Sequence, residues 1–225
     1  MGRDNAPQER QRKELERKRE ASRALCDRIL IVSEGSKTEP LYFDEIRVDL
    51  RLPAANVTVT PSQTGTEPLQ VVQYAKELFE TGNAYKGIKP RAFEQVYAVF
   101  DRDDHKTYFN ALRLAESLDR KLRNDDKKLV TFKAIASVPS FELWLLLHYE
   151  HVQAPLHRDE AMRRLKQHVP GYEKGAGNAF AATCEHLTDA IQRAESLAAI
   201  FTADTAPEPF TDIGSLVKVL TALRG

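Results

Sequence analysis

The sequence predicts an α/β protein built on a parallel sheet, and three observations carry that expectation. Short apolar runs rich in β-branched residues, ILIV at 29–32, VYAVF at 96–100 and VTFKAIAS at 130–137, read as buried strands. Segments with apolar residues at helical spacing separate them. Acidic residues begin where the first two of these runs stop, at the carboxyl edge along which open α/β sheets bind their ligands.

Taken in order, residues 1–24 are almost entirely polar, with basic residues exceeding acidic ones and Leu15 the only large apolar residue after Met1. Such a segment cannot bury a face. It reads as a charged arm, solvated or lying along a phosphate backbone. The first strand follows, then a helix with Leu41, Tyr42 and Ile46 on its apolar face and Pro40 in its first turn. NVTVT at 56–60 alternates with period two, as a half-buried strand does. Thr66-Glu67-Pro68 opens an amphipathic helix running to about Glu80, which Gly82 and Asn83 end. After the strand at 96–100, residues 107–124 place Tyr108, Leu112, Ala115 and Leu118 at helical spacing, and the strand at 130–137 leads into a compact apolar helix, SFELWLLLHYE. Beyond His151 the strands are expected to stop. Helices are expected over 157–169, 179–200 and 211–224, the last capped by Thr211 or Asp212, with PGYEKGAGNA and ADTAPEPF as loops. The arm 1–24 thus precedes one domain, 25–225, with a core at 27–150 and a helical part at 151–225 packed on the sheet.

Lys plus Arg total 33, as do Asp plus Glu, so no global charge bias marks a general nucleic-acid coat protein. No apolar run approaches the ~20 residues that span a bilayer, and the hydrophilic start argues against a secretory signal, so a cytoplasmic location is expected. Cys26 and Cys184, far apart and without C-x-x-C spacing, read as unpaired core thiols. Neither a G-x-x-x-x-G-K-[ST] P-loop nor a G-x-G-x-x-G after the first strand is present, which argues against ATP hydrolysis.

The chemistry lies in the placement of the acids. Glu34 directly follows the first strand, and Asp101 and Asp103 follow the strand at 96–100. On extended backbone, D-x-D puts both side chains on one side. If the two strands are neighbours, three carboxylates converge, and their repulsion is costly unless a divalent cation offsets it. Mg²⁺, with Mn²⁺ as the substitute, takes hard oxygen ligands, polarises phosphoryl oxygens and activates water. A capping glutamate and an exposed D-R-D-D turn fit the spacing equally well, and Asp104 can stand in for Asp103. Gly35 suits a close backbone approach or a positive φ. Glu39 can extend the metal site. Glu142 either faces the metal or complements a helix N-terminus behind a Ser140 cap. Lys37 and Arg102 are candidates for phosphate contact, as is His105, which can also serve as acid or base. Lys174, in a glycine-flanked loop, can approach a phosphate backbone. His148 and His151 lack a third ligand at zinc spacing and read as structural.

The blocks ILIVSEGSKTEPLYF, VYAVFDRDDH, ASVPSFELWLLLHYE and TDIGSLVKVL, in this order, resemble the RloB-like family, a branch of the TOPRIM proteins related to the OLD-type nucleases, over about residues 26–220. The resemblance implies a TOPRIM (Rossmann-like) parallel-sheet core with helices on both faces and a helical C-terminal part. It implies that Glu34, Asp101 and Asp103 bind Mg²⁺, that Glu39 and Glu142 are further acidic positions, and that Lys174 is a candidate catalytic lysine. The implied function is a Mg²⁺-dependent nuclease effector of a prokaryotic restriction or anti-phage locus. It would cut DNA or RNA, tRNA included, under an AAA-type ATPase partner, and homo-oligomers are compatible with the role. The alternative is a non-catalytic subunit that uses the same core as a scaffold for nucleic acid or the ATPase. A primase- or topoisomerase-like activity lacks support, because neither a tyrosine-bearing cleavage domain nor a primase zinc motif is visible.

Overall fold

The computed structural model describes residues 27–223; the charged arm and Cys26 lie outside the described residues. The first half of the chain alternates strand and helix: β1 (Ile29–Ser33), α1 (Thr38–Asp49), β2 (Val57–Pro61), α2 (Pro68–Thr81), β3 (Gln95–Asp101), α3 (Tyr108–Leu118) and β4 (Thr131–Val138). Then come α4 (Phe141–Leu146), α5 (Arg158–His168), α6 (Ala179–Thr183), α7 (Leu187–Ala198), β5 (Phe210–Thr211) and α8 (Ile213–Ala222). The sheet order is β2-β1-β3-β4-β5, with β1 to β4 parallel and β5 antiparallel to β4. The chain therefore leaves β1 toward β2 and returns to its other side at β3. The reversal of strand order falls between β1 and β3, where a crevice opens at the carboxyl ends of such sheets.

Strand parity distributes the core over both faces. Leu30, Val32, Val96, Ala98, Phe100 and Phe132 pack with Val71, Val72 and Leu78 of α2 and with Tyr108 and Ala111 of α3. Ile29, Ile31, Tyr97, Val99 and Ile135 pack with Tyr42, Phe43 and Ile46 of α1 and with residues of α4, α7 and α8. All six residues of α4 are buried. Its Trp144 Nε1–H donates to the Tyr42 hydroxyl at 2.7 Å, while Tyr42 meets Phe43, Phe141 and Phe180 edge to face. Gly214 of α8 lies close above this indole: a Cβ there would sit 3.3 Å from Trp144 and from Ala194. His148 is buried edge-on to Trp144, its Nδ1 3.0 Å from the Trp144 carbonyl oxygen, and burial lowers its pKa to about 4. His151 is exposed. Among the described residues no helix is long and apolar enough to cross a membrane.

Several expectations need correction. The strands do not stop at His151: Phe210 and Thr211 pair with Val138 and Ser137, a two-residue element too short to show any period in sequence. The helix expected over 179–200 is broken by a 3-10 turn at Cys184–His186. Thr183 Oγ1 donates back to the carbonyl oxygens of Ala179 and Phe180, a bond that bends helices. The helix expected over 107–124 ends at Leu118. Leu41 is 39% exposed, and the buried face of α1 is instead Tyr42, Phe43 and Ile46. Cys184 is a free thiol, as expected, but exposed rather than in the core.

Candidate metal centre

A cleft of about 520 Å³ opens at the carboxyl edge of β1 and β3, lined by Glu34, Gly35, Ser36, Lys37, Thr38, Glu39, Ser62, Thr66, Asp101, Asp103, His105, Arg158, Lys174 and Gly175. Strand pairing brings its first two acids together. Ser33 is in register with Val99, and the Glu34 N–H continues the ladder to the Val99 carbonyl oxygen at 2.8 Å. Parity then aims the two side chains apart. Glu34 continues the side of Leu30 and Val32, toward the start of α3. Asp101 continues the side of Tyr97 and Val99, toward α1 and α4. The Asp101 N–H donates to Glu34 Oε2 at 3.1 Å.

On the α1–α4 side, three carboxylates share a desolvated space. Asp101 is 6% exposed, Glu39 4% and Glu142 2%. Burial, and then the charges of Glu39, Glu142 and Glu34, push the Asp101 carboxyl well above the ordinary range. Burial raises Glu39 to about 6 and also raises Glu34, whose shift the Asp101 N–H and His105 partly offset. Ser140 occupies the N-cap of α4, as expected, but its hydroxyl makes no cap bond to the backbone and donates to Glu142 Oε2 at 2.7 Å. Glu142 Oε1 takes the Tyr172 hydroxyl at 3.5 Å and faces Lys174 Nζ at 3.3 Å. Burial works against the Lys174 charge, but Glu142, Asp101 and Glu39 outweigh it and hold the ammonium above its ordinary range. Gly35 serves close approach rather than a positive φ: a Cβ there would lie 1.9 Å from Glu39 Oε2.

Asp103 is set differently. The extended backbone expected through D-x-D ends at Asp101, and Asp103 lies in a turn at φ 34°. Its Oδ2 accepts from Arg158 of α5 at 2.8 Å. Arg102 does not enter the cleft. Its guanidinium lies over the rings of Tyr108 and Phe109, at 5.4 and 5.7 Å, and borders a separate cavity of about 180 Å³. Asp104 borders that smaller cavity and does not line the cleft. Lys37 lines the cleft, and Gly175, at φ 79°, packs against its aliphatic stem. His105 stands between Glu34 and Glu67. The cleft thus contains Glu34, Glu39, Asp101, Asp103, Lys37, His105 and Lys174, with Glu142 directly behind Lys174. Arg158, Tyr172, Ser62 and Glu67 join them without a sequence signal, each being a single polar residue in an ordinary loop or at a helix start.

The donor set fits a hard divalent cation. Glu39 Oε2 and Asp103 Oδ1 are buried carboxylate oxygens with no hydrogen-bond partner, and Ser62 Oγ of the same cleft is also unpartnered. A buried acceptor without a donor is costly, and a cation removes that cost. Among the described residues, the trio of ligand atoms lying within 4.8 Å of one another is elsewhere, at Glu94, Asp125 and Asp126. Arg28 already pairs with that trio, at 2.6 Å from both Glu94 and Asp125 and 3.9 Å from Asp126. Among the described residues no three cleft carboxylates bring ligand oxygens within 4.8 Å of one another, so an ion would take few of them directly and complete its shell with water and substrate oxygens, as Mg²⁺ does.

Without a cation these groups cost stability in a pH-dependent way. The Glu39 carboxyl titrates at 4.5 in the unfolded chain and at about 6 when folded. Between these values the folded chain holds more protons, so stability falls as pH rises through the window. The shift corresponds to about 2 kcal/mol. Urea unfolding of metal-free protein at pH 4.5 and 6.5 is therefore expected to show Glu39→Gln gaining about that much on wild type as pH rises. A gap that stays constant would show that Glu39 does not titrate as its burial requires.

No curated protein and no solved structure matches the chain. The family model for RloB-like proteins matches residues 29–220, nearly the whole of the described fold, and the chain belongs to the RloB-like protein family.

Proposed function

We propose that the chain is a TOPRIM-type, Mg²⁺-dependent phosphodiester hydrolase. It is read as the cytoplasmic nuclease effector of a prokaryotic anti-phage system, acting on DNA or RNA, tRNA included, under an AAA-type ATPase. The observation that carries the hydrolase reading is the cleft itself, where buried carboxylates with unpartnered oxygens meet Lys37, Lys174 and Arg158. Acids alone would repel a phosphodiester. Acids that hold a divalent ion, bordered by cations, attract one. When bound, the ion supplies a Lewis acid for a phosphoryl oxygen and lowers the pKa of a water.

Glu34, Glu39, Asp101 and Asp103 would hold the ion. The Lys174 ammonium, kept charged by its acidic neighbours, faces the charge that develops on the scissile phosphate. Lys37 and Arg158 bind backbone phosphates, and the free Ser62 hydroxyl offers one further contact. The defence role and the ATPase rest on membership of the RloB-like family and on the resemblance of its sequence blocks.

The test is cleavage of labelled tRNA, single-stranded DNA and duplex DNA in Mg²⁺, Mn²⁺ or EDTA, alone and with any AAA-type ATPase encoded beside this chain and ATP. Cutting that needs the metal and disappears in Asp101→Ala is the expected result. Binding of nucleic acid or ATPase without cutting, under every condition, would favour the scaffold reading instead.

A further inference from the structure

Glu34 has both carboxylate oxygens assigned. Oε2 accepts the Asp101 N–H at 3.1 Å, and Oε1 lies 3.2 Å from His105 Nε2. The other ring nitrogen of His105, Nδ1, lies 3.2 Å from Glu67 Oε1. Glu67 is anchored in turn, since Thr107 Oγ1 donates to its Oε2 at 2.7 Å. Three segments far apart in sequence, ending β1, opening α2 and opening α3, are thus joined by one chain of side chains. The Thr107 and His105 contacts hold the Glu67 carboxyl below its ordinary range, so it carries charge at neutral pH.

Helix capping explains only part of this. Glu67 is the N-cap of α2 and forms a capping box with Gln70. A cap needs one acceptor oxygen, and Ser, Thr, Asp or Asn supply it as well or better. A longer side chain that also reaches His105 and Thr107 of the next strand–helix loop does something a cap does not require. Carboxylates that ligate metals are themselves held by hydrogen bonds, and loss of the holding group weakens the site.

The geometry points to Glu67 as a positioning residue that, through His105, fixes the rotamer of Glu34 and so sets how tightly the cleft holds a divalent ion. This inference rests on the metal-dependent reading of the cleft. It predicts that Glu67 matters for metal binding only as long as His105 is present.

The experiment is Mn²⁺ binding to the full chain at one pH, followed by the electron paramagnetic resonance signal of free Mn²⁺. The variants are Glu34→Ala, Glu67→Gln, His105→Gln, the Glu67→Gln/His105→Gln double and Gln70→Ala. Glu67→Gln and His105→Gln are each expected to weaken binding by roughly 10- to 100-fold. The double is expected to be no weaker than His105→Gln alone, because the two residues act in series. Gln70→Ala, which breaks the capping box without touching His105, is expected to lower the melting temperature and leave Mn²⁺ affinity at the wild-type value. Wild-type affinity in Glu67→Gln, or additive losses in the double, would overturn the positioning role alone. Equal Mn²⁺ binding by wild type and Glu34→Ala would overturn the metal reading and this inference together.

Discussion

Asp101→Asn is expected to abolish cleavage and, in the same protein, to raise the melting temperature measured without metal. The two effects share one cause. Asp101 is buried at the end of β3, and burial together with Glu39, Glu142 and Glu34 drives its carboxyl well above the ordinary range. A neutral amide of the same size removes the repulsion and leaves the fold unchanged. Relief of about 1 kcal/mol would raise the melting temperature by ~2–4 °C in a chain of this length. Activity should fall on the order of 10³-fold or more, the scale seen when a group that a reaction works through is deleted. The stabilisation that Mg²⁺ gives to wild type should disappear as well. Calorimetry with and without Mg²⁺, paired with a cleavage assay, checks both halves. A variant that loses activity because it melts lower would make Asp101 an ordinary structural residue.

Trp144→Ala is expected to have the largest effect on stability, about 3–5 kcal/mol, with a fall of roughly 10 °C or more in melting temperature. The indole is fully buried in α4, a helix with every residue buried, beneath Gly214, and is hydrogen-bonded to Tyr42. Burial keeps Tyr42 a neutral phenol, so its hydroxyl is left in a cavity when the indole is removed. Trp144→Phe keeps most of the volume and should cost markedly less. Chemical unfolding of the three proteins gives the ranking, and near-equal stabilities would show that the surrounding helices collapse into the space. Glu142 lies two residues before Trp144 on the same helix. Weakening this packing should therefore also reduce affinity for metal.

The sheet was largely legible because its strands are short, apolar and bounded by loops, and because two of them end in acids. Neighbourhood was not legible: no pattern in the sequence says that β3, which carries the second set of carboxylates, pairs directly with β1. The parity expected to put both aspartates on one side failed at Asp103, because the strand ends at Asp101 and the chain turns at positive φ. Arg102 carried the right charge for phosphate, yet two aromatic rings from α3 hold it away. Glu67 and Arg158 were invisible because their meaning comes from partners 38 and 55 positions away, His105 and Asp103. The broken helix at 184–186 and the two-residue β5 fall below the length at which periodicity says anything.

The clasp at Glu45 bears on when the site exists at all. This residue of α1 accepts backbone N–H bonds from Asn178, Phe180 and Ala181, at 2.6, 2.9 and 3.2 Å, and so ties down the loop that carries Lys174. A ribosome releases the acids and Lys37 first, and the other two cations of the cleft, Arg158 and Lys174, last. A nascent chain ending near Glu150 already contains Glu34, Glu39, Asp101, Asp103 and Glu142, but neither Arg158 nor Lys174. Such a chain has charges in place that repel a phosphate backbone and lacks two of the residues that would bind it. Lys174 emerges only a few residues before the segment at 178–181 that Glu45 holds against α1, so the full set of cleft residues exists only once about four-fifths of the chain has been made.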